Sequence, residues 1–437
     1  MRRLRARLRQ FPSPLPIIFI VVATIAVILY GRGYRIDFKQ NKLKPTGLLS
    51  ATSDPVGSEV FVNGILKTAT NNTLNIDPGW YTVKIAKDGY IAWEKKLRVQ
   101  GEVVAKTEAF LFPTSPSLSP LTNTGIENPV LSPDGTRIAY TIPLEHNTGL
   151  SSKKAGLWVY ELVERPLGLN RDPKQVGISD PAFNFSQIKL TWSPDSSQIL
   201  VDFGKTVRLY QINRPSDFQD VTSTYPTLLS DWEEEKITKE KQKLVAFKQG
   251  FIDVATASAK IIAFSPDETK VLYEATSSAT LPQIITPPLI GTNPTEETRT
   301  IEPGKLYVYD SREDRNYFVL DKTELPPTSP SPSPSPSPSP KNLTNAGSLV
   351  SSNDYQSSTL NSKFNIHWFP TNRHLVLTLP GKIDIMEYDR TNWVTVYAGP
   401  FVDGFIVPWP NGSRIIVMTN LNPGVSLLPN LYTVNLR

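Results

Sequence analysis

Few side chains in this sequence can do acid–base or metal chemistry. Cysteine is absent, which removes thiolate nucleophiles, thiolate metal sites and disulfides together. Imidazole comes only from His146, His367 and His374. His367 and His374 stand seven residues apart around one turn with no third ligand beside them, so the spacing favours a structural or surface role over a metal site. No glycine loop for phosphate, no Gly-x-Ser-x-Gly elbow and no His-Glu-x-x-His pair is present. One acidic set does repeat: Asp134, Asp195 and Asp267 each follow a Ser-Pro pair between two apolar runs, with Thr371 and Asn411 at the matching place in two further runs. A shared position in a turn explains this set better than general-acid work. The acidic stretch 231–235 opens a predicted helix, where carboxylates complement the helix dipole, so calcium binding is the poorer account. The sequence therefore names no catalytic residue, cofactor or metal ligand, and the expectation is a protein that is not an enzyme.

The elements around those turns recur in a fixed order. A short apolar strand leads into the turn, a second apolar strand leaves it, and a third ends in an acidic or amide residue: NPVLSPDGTRIAYTI with LWVYEL, KLTWSPDSSQILVDF with VRLYQI, IIAFSPDETKVLYEA with KLYVYD, FNIHWFPTNRHLVLTL with KIDIMEYD, and FIVPWPNGSRIIVMTN with LYTVNL. Proline presets φ at the first corner, and the Asp or Asn behind it bonds back to the backbone. Such a unit has an apolar face that it cannot bury alone, and radial stacking of several units buries it, which is a β-propeller. The pattern resembles the TolB-type propeller repeat, closest at Ser132-Pro133-Asp134-Gly135 and Trp192-Ser193-Pro194-Asp195. Five units are legible over 115–437, and a sixth, usual for the TolB type, would have to lie in an insertion. The last unit lacks an outer strand, and residues 118–123, which precede the first unit, are predicted to supply it. Two insertions interrupt the period: a helix predicted over 231–249, with Ser230 to Glu233 as capping box and Gly250 as stop, and an extended Ser/Pro loop over 325–360.

Ahead of the repeats, residues 46–113 alternate in period two and are cut by turn signals at Asn63-Gly64, Asp77-Pro78-Gly79 and Asp88-Gly89, which predicts a small β-sandwich. Ser53-Asp54-Pro55-Val56-Gly57-Ser58, Val60-Phe61-Val62-Asn63-Gly64, Pro78-Gly79 and Lys87-Asp88-Gly89-Tyr90 with Trp93 resemble the PEGA domain. Val56 and Ser58 stand where that family's name-giving Glu and Ala do. The resemblance implies a surface module of extracytoplasmic or membrane-anchored microbial proteins, associated with carbohydrate or cell-wall contact. Trp80, Tyr81, Tyr90 and Trp93 are the candidate sugar-stacking aromatics, although aromatics in so small a domain more often form its core.

The chain has 437 residues and a formal charge of +5, and five Arg in the first ten residues account for all of it. The remainder is balanced, so the basic pI is no sign of nucleic-acid binding. Residues 10–31 carry no charge and as a helix would reach about 33 Å, against a hydrocarbon core of ~30 Å. They predict a transmembrane helix over 11–33, behind a basic cytoplasmic tail at 1–10, with the bulk outside. Together these readings describe an all-β, single-pass membrane protein, monomeric, that binds cell-wall polysaccharide or an envelope protein. The alternatives are an envelope hydrolase or lyase acting at the propeller channel mouth, and an interaction platform facing the cytoplasm.

Overall fold

The computed structural model describes residues 15–31, 34–37, 42–101, 103–144, 153–164, 172–179, 182–186, 188–324, 366–402, 405–423 and 427–437. The tail 1–10, His146 and the Ser/Pro segment lie outside these residues. The chain is mostly β and divides into two units, Met1–Leu111 with Pro287–Thr295, and Phe112–Thr286 with Glu296–Arg437.

The first unit opens with helix α1 (Leu15–Gly31), 17 residues, or about 26 Å long. The predicted 11–33 span is thus described only in part, and no helix among the described residues is long and apolar enough to cross a membrane. Along α1 the large apolar side chains are exposed, Phe19 at 74% and Val27 at 71%. Thr24 donates its hydroxyl to Ile20 O at 2.7 Å, so this polar side chain is satisfied within the helix. A short hairpin follows, β1 (Tyr34–Asp37) with β2 (Lys42–Pro45).

The sandwich comes next: β3 (Gly47–Asp54), β4 (Glu59–Val62), β5 (Ile65–Ala69), β6 (Asn72–Ile76), β7 (Gly79–Ala86), β8 (Trp93–Val99) and β9 (Val104–Phe110). They form two sheets, in the orders β6-β3-β9 and β5-β4-β7-β8, with β3 and β9 parallel. Alternation along β8 and β9 buries every second residue, and Leu49, Val60, Val83, Ile85, Trp93 and Leu97 meet in one core. The two departures from the PEGA pattern have different fates. Val56 is 60% exposed, whereas Ser58 is fully buried, donating its hydroxyl to Pro55 O (2.8 Å) and its amide to Thr70 Oγ1 (2.9 Å).

Among the described residues the second unit holds five four-stranded antiparallel sheets. Strand β10 (Leu118–Pro120) precedes sheet I, which is β11 (Glu127–Leu131), β12 (Arg137–Ile142), β13 (Gly156–Glu161) and β14 (Lys174–Ile178). Sheet II is β15 (Lys189–Trp192), β16 (Gln198–Asp202), β17 (Val207–Gln211) and β18 (Phe218–Asp220). Two helices follow, α2 (Tyr225–Val245) and α3 (Gln249–Ser258). Sheet III is β19 (Ala259–Phe264) and β20 (Lys270–Ala275), then, beyond the small hairpin β21 (Ala279–Thr280) and β22 (Thr300–Ile301), β23 (Lys305–Asp310) and β24 (Arg315–Asp321). Sheet IV is β25 (Ile366–Trp368), β26 (His374–Leu379), β27 (Lys382–Glu387) and β28 (Val394–Ala398). Sheet V is β29 (Ile406–Pro408), β30 (Arg414–Thr419) and β31 (Asn430–Asn435), completed by β10. Leu118 pairs with Val434, Ser119 with Thr433 and Pro120 with Tyr432, so the segment predicted to close the last unit does so.

First strands of neighbouring sheets touch, β11 with β15 and β19 with β25, which makes them the innermost strands. Apolar clusters join sheet V to I, I to II, and III to IV. This is a propeller arrangement, and between II and III two helices are inserted. Tyr225, Leu228 and Trp232 of α2 pack on Leu200, Val207 and Leu209 of sheet II. Phe251 and Ala255 of α3 pack on Val271, Tyr273 and Tyr309 of sheet III.

These contacts also explain why two helices appear where one was predicted over 231–249. Docking on sheet II extends α2 one and a half turns upstream of the Ser230 capping box, with a proline in its first turn. At the other end, burial of Phe247 and Phe251 turns the chain at Lys248, which is extended (φ −75°, ψ 144°). Gly250 lies inside α3 and is no stop signal. A Cβ at this position would sit 2.9 Å from Pro282 Cγ, so the glycine permits close approach of the two segments.

Candidate functional site

The Asp turns join the first and second strands of their sheets and share one hydrogen-bond pattern. In sheet II, Ser193 Oγ donates to Asp195 Oδ1 (2.6 Å) and accepts from Gln198 N (2.9 Å), while Ser197 N and Oγ donate to the two Asp195 oxygens (3.1 and 2.7 Å). Sheet I repeats this with Ser132, Asp134 and Thr136, and sheet III with Ser265, Asp267 and Thr269. The residue after the Asp, or after the Thr371 or Asn411 that stands in its place, is left-handed in all five turns: Gly135, Ser196, Glu268, Asn372 and Gly412, with φ between 56° and 71°. In sheet IV a Thr371–His374 Nδ1 contact of 2.7 Å replaces the acid, and in sheet V Asn411 Oδ1 accepts from Ser413 N.

These bonds decide what the carboxylates can do. At Asp195 the Ser193 hydroxyl is the largest influence and lowers the carboxyl below its ordinary value. At Asp134 and Asp267 burial, the largest single influence, pushes upward, but the hydroxyl and amide donors together outweigh it and both end below the ordinary range. An acid held ionised by its own turn is suited to structure and poorly suited to donating a proton.

The turns also link neighbouring sheets. Asp134 N donates to Ser196 Oγ (3.1 Å) from I to II, and Asp267 N donates to Asn372 Oδ1 (2.9 Å) from III to IV. Between II and III α2 occupies the gap. Lys239 Nζ donates to Pro194 O (3.3 Å) on one side, and Lys243 Nζ pairs with Glu268 Oε1 (2.9 Å) on the other. The helix leaves a groove of about 1030 Å³ beside the innermost strand β15. Its walls carry Lys189, Thr191, Asp134 and Asp195 from the sheets and Lys236 and Ile237 from α2. No residue type in the sequence announced it, because it exists only where the helices are inserted.

The remaining candidates are dispersed. Trp93 is 3% exposed and belongs to the sandwich core, against which Tyr81 and Tyr90 also pack. Tyr81 donates its hydroxyl to Asp77 O (2.9 Å). Trp80 is half exposed on the opposite face of β7, with Lys96 Nζ 5.5 Å from its ring. The four do not form one platform. His374 is buried, edge-on to Phe112 and Phe369. His367 lies on the innermost strand β25, where burial pushes its imidazole down to about 4. Among the described residues no three His, Asp or Glu side chains are grouped to hold a metal ion.

Residues 46–111 match the PEGA domain family. No curated protein matches the chain. Solved structures with which it shares a likeness include a putative TolB from Agrobacterium tumefaciens (11% identity, 68% of this chain and 71% of that one, TM-score 0.20). Another is the β-propeller domain of Cps50 (Swd1) from Myceliophteria thermophila (10%, 74% and 100%, TM-score 0.27), and a third is a chain of a mitotic checkpoint complex (9%, 75% and 96%, TM-score 0.29).

Proposed function

We propose that the protein is a non-catalytic binding or scaffolding protein of the cell envelope. It is held by α1 and its flanking apolar residues as a single-pass anchor, with the N-terminus in the cytoplasm and both β units outside. The groove between α2 and β15 carries this reading, because it is a concave site whose walls offer ammonium, hydroxyl, apolar and, from Glu233, Glu234 and Glu240 of α2, carboxylate groups, while its Asp134 and Asp195 carboxylates are bound up in turns. That chemistry suits a cell-wall polysaccharide or a segment of an envelope protein. The exposed apolar length of α1 supports the anchor, since α1 leaves its largest apolar groups open along its whole length. The PEGA match supports an envelope-facing role through what that resemblance implies.

Co-sedimentation of the detergent-solubilised full chain with isolated cell envelopes tests the reading. Binding should saturate, and the double substitution Lys189→Glu, Lys236→Glu should weaken it at least tenfold with the fold intact by circular dichroism. Saturable binding that the double substitution leaves unchanged would place the contact elsewhere and overturn the groove as binding site.

A further inference from the structure

We propose that Arg208 is an edge-on receptor for a carboxylate group, at a site separate from the groove. Arg208 lies on β17, and its guanidinium carbon stands 3.3 Å from the ring centroid of Phe183 and 4.0 Å from that of Phe218, with Phe203 at 5.9 Å. The two nearer rings both lie against the guanidinium. Its Nε is buried with no acceptor, and among the described residues neither Nη1 nor Nη2 makes a hydrogen bond or an ion pair. Its cross-strand partner Asp220, held below its ordinary value mainly by Thr222 and also by the Arg208 charge, has its Oδ1 taken by Thr222 N (3.0 Å) and Thr222 Oγ1 (2.6 Å).

An arginine in this state is unusual. Guanidinium groups removed from water normally meet a carboxylate, and here two aromatic faces take the place of one while the in-plane donors stay unfilled. The rings also fix the plane of the fork, so little orientational freedom is lost when a ligand docks. Arg208 as a residue is partly exposed, and Phe218, 44% exposed, borders it at the surface. A planar carboxylate fits such a slot. A tetrahedral phosphate would push oxygens out of the plane against the negative ring faces. In an antiparallel meander, the β16–β17 turn and the link from β14 to β15 fall at the end of the sheet opposite the Asp turns. Arg208 and Phe183 belong to that end, so the site does not depend on the groove.

The test uses the detergent-solubilised full chain labelled with ¹⁵N-arginine. The Arg208 Nε–H signal is assigned by its loss in Arg208→Lys, and acetate, inorganic phosphate and chloride are titrated at matched ionic strength. Acetate should give a saturable shift, phosphate should bind at least tenfold more weakly, and chloride should give none. The Lys189→Glu, Lys236→Glu protein should respond like the wild type. If Arg208→Lys does not fold, Phe218→Ala assigns the same signal through the lost ring current and should weaken acetate at least fivefold. No shift with acetate, or equal binding of phosphate, overturns the proposal.

Discussion

Ser193, 2% exposed, donates its hydroxyl to Asp195 and accepts from Gln198 N, so removing it takes a partner from a half-buried amide and one donor from an exposed carboxylate. Ser193→Ala should cost about 1 kcal/mol in urea unfolding. It should also flatten the acid limb. A carboxyl lowered by folding stabilises the native state above its unfolded value of 3.8 and loses that contribution as pH falls through the folded value. Wild-type stability should therefore drop more steeply below pH 4 than that of Ser193→Ala. His367 works in another window. Its folded value of about 4 lies below the ordinary 6.5, so the unfolded chain binds the extra proton between them and stability must rise with pH across that interval. His367→Gln should remove a slope approaching one proton per molecule there, measured from midpoints at pH 4 to 7. At this scale the sequence was informative where a residue speaks to its neighbours in the chain. Ser-Pro-Asp reads as a turn because its partners are within five positions. Arg208 was silent, because Phe183 and Phe218 reach it only once β14, β17 and β18 are folded together.

The helical wedge shows the same limit one level up. Charge pattern and a capping box identified a helix, but its ends were set by contacts with sheets on either side. Pro226 and Thr224, poor landmarks by themselves, begin α2 because Tyr225 and Leu228 can then reach Val207 and Leu209. Phe251 anchors the second helix, fully buried and stacked on Tyr309 with centroids 4.1 Å apart and planes 4° apart. Phe251→Ala should destabilise by about 3–5 kcal/mol, and because α3 anchors the wedge, it should also weaken envelope binding. Thermal melts alongside co-sedimentation check both. The solvent-facing pair Lys239–Glu235 on α2 is worth at most ~0.5 kcal/mol by comparison, and its loss should barely register in the melt.

For the whole molecule, the count of five sheets and the use of residues 118–120 as an outer strand were readable from the repeats, since each hairpin carries its turn chemistry and its apolar face with it. What the repeats could not convey is that helices, and not a sixth sheet, separate II from III. The joining of first and last strands is testable in a chain without cysteine. Ser119→Cys with Thr433→Cys, opposed across β10 and β31 and 314 residues apart, should oxidise to a single disulfide and raise stability by about 2–4 kcal/mol. Groove, wedge and anchor together make the envelope-binding reading, and one reactivity measurement reaches it directly. Ile237, 41% exposed on the groove wall, is replaced as Ile237→Cys, and its reaction with a membrane-impermeant maleimide is timed on the full chain with and without isolated envelopes. Saturable protection of at least tenfold is the expected result. A labelling rate that envelopes leave unchanged at saturating binding would contradict the groove as the place where this protein holds its ligand.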